Sequence, residues 1–280
     1  MGRAKNCYES LAGRNNVGNF GTLVVLYLLG TMTLEGLKRG KVKIESSAAL
    51  DKLFYKYTHL PLGGKEIVCP YWMNDLKLEI FGPYGGKGTP EEIVQATEDE
   101  AKKANLDLEK MTKEEIIAFM KRKKIGVDCS GFVFWMLDTF DKEKGGNGVA
   151  DNIPNSVGQF LPSRANVAML TSEKVICSVR ISEAKVGDMI RLDRGRHVAI
   201  VIKVVREMED IGKVREIEYA HSSSRTKIPG VHNAKIKIVD QNKGLEEQLW
   251  YELASEGKSY GQVYLLSAIG DGLKRLKSWI

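Results

Sequence analysis

Asp128-Cys129-Ser130-Gly131 places a thiol where a helix should begin. Aspartate accepts the orphan amides of a first helical turn, and the apolar run Phe132 to Leu137 supplies the helix body. A sulfur at such a tip meets unpaired N–H groups and the positive dipole end, which favour thiolate over thiol. Its natural chemistry is attack on a carbonyl carbon, and that chemistry needs a base. The chain has four histidines, and two of them bound strand-like runs: His197 opens His197 to Ile202, and His221 closes Ile217 to His221. An imidazole with an ordinary pKa near 6.5 can take the sulfur's proton and return it to a leaving amine, while a second ring fixes its tautomer. Strand alternation puts Tyr219 and His221 on one face and Glu218 and Ala220 on the other, so Glu218 stands as the rival third residue. His232 is expected past a turn at Pro229-Gly230, and His59 in a loop.

Several elements must bring these residues together. Apolar spacing over Ser46 to Tyr57 predicts a helix. Thr89-Pro90-Glu91-Glu92 and the Thr112/Glu115 pair predict two capped helices, with Gly126 placed to end the second before the cysteine motif. Gly85-Gly86-Lys87-Gly88 reads as a flexible entry to this pair. Alternation predicts five strands, at Asp188 to Leu192, His197 to Val205, Val214 to His221, Ala234 to Val239 and Gln262 to Leu266. Helices first and strands later imply an α+β fold, the cysteine-bearing helix packed on a mainly antiparallel sheet.

The 280 residues, 43% of them hydrophobic, suffice for a normal core. With 42 Lys and Arg against 36 Asp and Glu, the net charge of +6 is mild. Its one dense run, Lys121-Arg122-Lys123-Lys124, sits at a predicted helix end, which argues against a nucleic-acid partner. Residues 1–45 carry an apolar centre, Leu23 to Leu29, that reads either as a signal or anchor segment or as a buried helix. Contact with a membrane is expected only there. Cys7, Cys69, Cys129 and Cys177 have no metal-ribbon or redox spacing; a Cys69–Cys177 bridge is conceivable, and reduced core cysteines are the expectation.

Three segments in this order resemble the NlpC-type cysteine peptidases. They are Asp128-Cys129-Ser130-Gly131-Phe132, then Gly187-Asp188-Met189-Ile190 with His197-Val198-Ala199-Ile200-Val201, and Tyr219-Ala220-His221-Ser222-Ser223-Ser224-Arg225. The resemblance implies a papain-like catalytic domain over residues 46–280, with a helical insert at 88–124 before the nucleophile. It implies a peptidoglycan endopeptidase that cuts stem peptides through Cys129, His197 and His221, without cofactor or metal, in the cell envelope or outside the cell. It also implies that a tyrosine from a Pro-Tyr element faces the sulfur. Tyr71 in Cys69-Pro70-Tyr71-Trp72 is the preferred candidate and Tyr84 in Gly82-Pro83-Tyr84 the alternative. Asp128 and Ser130 are implied to bind the free amino end of the stem peptide, where local physics offers helix capping instead. A CHAP-type amidase or peptidase, and a catalytically inactive wall-binding relative, are the alternatives. A zinc site built from Cys129, His197 and His221 is disfavoured by their wide separation and the missing fourth ligand.

Overall fold

The computed structural model describes residues 41–75, 79–150, 153, 162–210 and 212–280. The apolar segment at Leu23 to Leu29 lies outside the described residues. Among the described residues no helix is long and apolar enough to cross a membrane.

The architecture is α+β. Strand β1 (Val42–Ser46) leads into helix α1 (Ala48–Thr58), and a hairpin follows from β2 (Leu60–Leu62) and β3 (Lys65–Ile67). Helices α2 (Pro90–Lys103), α3 (Lys113–Arg122) and α4 (Cys129–Glu143) come next, then short α5 (Val167–Leu170) and strands β4 (Ile176–Ser178), β5 (Met189–Leu192), β6 (His197–Glu207), β7 (Val214–Ser223), β8 (Gly230–Lys237) and β9 (Leu249–Trp250). Helix α6 (Tyr260–Tyr264) and β10 (Gly272–Leu276) complete the order. Thr89 and Thr112 form the reciprocal capping boxes that their sequences predict.

The main sheet runs β4-β10-β5-β6-β7-β8-β9, with β1 added on β6, and has eight strands where five were expected. Its pairings are antiparallel. Of the additional strands β4 and β9 lie at the ends of the order, β10 lies between β4 and β5, and β1 adds on β6; each is five residues or fewer. Gln262 to Leu266 is not a strand: helix α6 occupies it, because one helical turn brings the Tyr260 and Tyr264 rings together at 4.7 Å. The predicted start at Ala234 also moves, since β8 begins at Gly230 and pairs His232 with His221.

β6 is the organising strand. Its first half pairs with β5, His197 opposite Leu192, and its second half with β1, Ser46 opposite Lys203. Helix α4 packs on β6 and β7, burying Phe132, Val133, Met136 and Leu137 in a core shared with Val198, Ile200 and Ala220. The alternate residues Ala199, Val201 and Tyr219 belong to a second core on the other side, closed by Trp250 and Tyr260.

Gly126 does not end helix α3. Lys124 takes the left-handed conformation there (φ 62°), and Gly126 is needed because a Cβ would stand 2.3 Å from the Pro70 carbonyl oxygen. Gly126→Ala is therefore expected to cost about 1–3 kcal/mol through forced displacement of this segment. Urea unfolding measures it, and an unchanged midpoint would show that the contact is dispensable.

Candidate active site

Cys129 is the first residue of α4, and Asp128 caps it by accepting from the Gly131 amide at 2.7 Å. The approach to the helix is clamped on three sides. Val127 donates to the Pro70 carbonyl at 3.1 Å, its own carbonyl accepts from the Ser222 hydroxyl of β7 at 2.7 Å, and Asp128 donates to the Gly86 carbonyl at 2.9 Å. Gly86-Lys87 is thus part of the nucleophile's frame, not a flexible entry. It also explains Gly131, whose Cβ would lie 2.4 Å from the Gly86 oxygen.

The thiol is 5% exposed and free. Backbone amides of Val198 and Ser130 approach the sulfur, and both favour its ionised form. Burial nevertheless dominates, and with the Asp128 charge it pushes the thiol up to about 12 against the opposing Lys87 charge. The helix tip alone therefore does not produce a resting thiolate, contrary to the expectation from its dipole. His197 responds in kind: burial, then the charge of His221, holds its imidazole well below its ordinary value. Low polarity penalises either charge alone, so each group rests neutral, and a thiolate and an imidazolium would gain most by forming together.

The Val198 amide beside the sulfur belongs to the residue after His197, which places the helix tip at the beginning of β6. Among the described residues no hydrogen bond joins the sulfur to the His197 ring. Catalytic contacts are often loose without substrate and tighten in the bound complex. His197 Nε2 lies 2.8 Å from His221 Nδ1. His221 is wholly buried, and Tyr260 stands edge-on to it at 5.4 Å.

Glu218 is excluded from this chain of contacts. It points to the opposite face, accepting from Lys203 Nζ at 3.0 Å and from Asn233. Glu218→Ala is expected to leave the rate of any Cys129-dependent reaction unchanged in a steady-state assay; a large loss would reassign the third position.

His232, set aside in the sequence, and Glu252, not singled out there, join the site. Glu252 Oε1 lies 2.9 Å from His221 Nε2 and 2.6 Å from His232 Nε2, while Oε2 accepts from the Tyr219 hydroxyl. His232 was expected past a turn, but the start of β8 at Gly230 carries it opposite His221. Glu252 follows the two-residue strand β9, where the only signal was a carboxylate beside Trp250 and Tyr251.

Tyr71 stands near the sulfur. Burial, then the neighbouring Cys129 and Asp128 charges, raise its hydroxyl well above the ordinary tyrosine range. Tyr84 is 45% exposed and lies on the turn before Lys87, so of the two Pro-Tyr tyrosines Tyr71 is the one near the sulfur; Tyr260 also lies near it. The Cys129 amide, free of any helical acceptor at the first position of α4, has no partner among the described residues.

Asp128 and Ser130 are engaged from within. Lys87 Nζ, buried beside them, pairs with Asp128 Oδ2 and donates to Ser130 Oγ at 2.8 Å; Ser130 Oγ lies 3.0 Å from Asp128 Oδ1. Both carboxylate oxygens thus have partners inside the protein.

Cys69 is a free, fully buried thiol that donates to the Pro70 carbonyl at 3.6 Å, so the conceivable Cys69–Cys177 bridge is not formed; Cys177, expected to be reduced, is disulfide-bonded. One group among the described residues, His221, His232 and Glu252, gathers three metal-type ligand atoms. Its atoms lie 2.6 to 3.0 Å apart, which is hydrogen-bond spacing. Ligands around a tetrahedral zinc with bonds of about 2.0 Å stand roughly 3.3 Å apart. Cys129 and His197 are not part of that group. Comparison with known protein families, with curated proteins and with solved structures finds no match.

Proposed function

We propose that the protein is a cysteine hydrolase in which Cys129 attacks an amide carbonyl and His197 handles the proton. The observation that carries this reading is the meeting of a free cysteine at a helix tip with the start of β6, where the His197 ring is held by His221 at 2.8 Å.

In the reaction the sulfur gives its proton to His197 as it bonds to the carbonyl carbon. The oxygen of the tetrahedral intermediate takes the negative charge. The unpartnered Cys129 amide is placed to donate to it, with the Tyr71 hydroxyl as a second donor. His197 passes the proton to the leaving amine, whose departure leaves a thioester. A water, deprotonated by the same imidazole, attacks the thioester and releases the acid and the thiol. The net reaction consumes one water, and the enzyme returns unchanged.

The substrate class follows from the resemblance to NlpC-type enzymes, and the arrangement of Cys129, His197, His221 and Tyr71 is compatible with it. On this reading the substrate is a peptidoglycan stem peptide. Asp128 and Ser130 act as the cap and support of the nucleophile, with Lys87 taking the place of an external amine. Incubation of purified muropeptides with the protein, followed by mass spectrometry, tests the assignment. Cleavage between two stem amino acids supports an endopeptidase. Release of glycan from intact peptide supports the CHAP-type amidase alternative, and intact muropeptides would remove the wall substrate.

A further inference from the structure

The acceptors around the three clustered histidines fix where their protons reside. His232 Nδ1 lies 3.0 Å from the Gly230 carbonyl oxygen, which can only accept, so Nδ1 carries hydrogen. Its Nε2 lies 2.6 Å from Glu252 Oε1. Burial opposes ionisation of Glu252, but its hydrogen bonds with His221 and His232 help hold its carboxyl well below the usual range. A carboxylate oxygen only accepts, so His232 Nε2 carries hydrogen as well. His221 Nε2 faces the same oxygen at 2.9 Å and donates to it. The two nitrogens stand 3.0 Å apart because they share that oxygen, not because one donates to the other.

The assignment propagates. With hydrogen on Nε2, neutral His221 presents a bare Nδ1, and among the described residues the neighbour that can donate to it is His197 Nε2 at 2.8 Å. His197 is then the Nε2–H tautomer, and its basic lone pair is on Nδ1, the nitrogen with no partner inside the cluster. Glu252 is itself held at both its side chain and its backbone. Tyr219 donates to its Oε2, and the Glu252 carbonyl accepts from the Tyr260 amide at 3.0 Å.

We infer that Glu252 is a positioning residue of the active site: acting through His221, it commits His197 to the tautomer whose free Nδ1 takes the proton of Cys129, while His232 balances its charge. This rests on the hydrolase reading for Cys129 and His197 and extends it with two residues from outside the motifs that suggested it. The groups that act on His197 are His221, Glu252, Arg225, His232 and Tyr260, and the thiol lies against the amide of the next residue, Val198. Glu252 is the anion that favours a positive His197, and His232 and Arg225 oppose it. The two new residues therefore act with opposite sign on formation of the thiolate–imidazolium pair.

Two measurements test this. The full chain has four histidines, so nitrogen-15 imidazole NMR near neutral pH can assign each ring. Hydrogen on Nε2 alone is expected for His197 and His221, and on Nε2, beside Glu252, for His232. A bare His232 Nε2, or hydrogen on His197 Nδ1, would overturn the assignment, and so would a stoichiometric metal lost on Glu252→Gln. The second measurement is the pH dependence of Cys129 alkylation in folded variants. Glu252→Gln should move it to higher pH by about one unit, roughly tenfold at fixed pH, and His232→Gln should move it to lower pH. Shifts of the same sign, or none, would overturn the proposal. The parent reading is judged separately: if His197→Ala leaves alkylation unchanged, the hydrolase itself fails, whereas sensitivity to His197 without sensitivity to Glu252 sinks only the extension.

Discussion

Cys129→Ala should abolish hydrolysis, a loss on the order of 10⁶-fold if the sulfur is the nucleophile of a covalent mechanism. The side chain is small, and the clamps that set its position run through backbone groups of Val127 and Asp128 and the side chains of Ser222 and Asp128. Removing the sulfur leaves all of them in place. The thermal midpoint should move little, and circular dichroism should be unchanged. Product formation followed by chromatography reads the loss, and a variant that still turned over substrate would take the cysteine out of the chemistry.

Lys87→Met should be among the most destabilising single changes. The Lys87 ammonium and the Asp128 carboxylate are both almost fully buried, 9% and 6% exposed at the side chain. Removing one partner strands the other charge in a medium that cannot solvate it, which costs about 3–5 kcal/mol. The loss falls at the nucleophile, because Asp128 holds the first turn of α4 and Lys87 is a positive charge that favours ionised Cys129. Lys87→Met with Asp128→Asn should recover most of the stability, since asparagine caps a helix well and no charge is left unpaired. Urea denaturation of the single and double variants measures both, and a single variant within about 1 kcal/mol of the parent would show that the pair is not structurally coupled.

The path from sequence to site was legible where one local rule decided the outcome. Asp128 before an apolar run marks the start of α4, the Thr89 and Thr112 boxes mark α2 and α3, and alternation marks β5, β6 and β7. Strand parity favoured His221 and left Glu218 as a rival, and the structure puts the two side chains in separate networks. What stayed hidden depends on long-range packing. Lys87 lies 41 residues before Asp128 in a glycine-rich stretch, and such stretches read as loops whether or not they carry a buried ion pair. His232 was lost through a boundary: Pro229-Gly230 signals a turn, but β8 already begins at Gly230. Glu252 could be found only by knowing the pairing of β8 with β9, a two-residue strand with no periodicity to read. The helix-tip argument placed Cys129 at the start of α4, where it lies, but overstated its acidity, because burial raises the thiol by more than the nearby amides lower it.

The central claim is that Cys129 reacts only as a partner of His197. The most direct measurement is the rate of Cys129 carboxamidomethylation by iodoacetamide at pH 7, located by peptide mass spectrometry, in the parent protein and in His197→Ala. Cys69, wholly buried and with its thiol held well above the ordinary value by burial, serves as the unreactive internal reference. Selective labelling of Cys129 in the parent, falling at least about tenfold in His197→Ala, is the predicted result. Equal labelling in both proteins would contradict it and leave Cys129 an ordinary buried thiol.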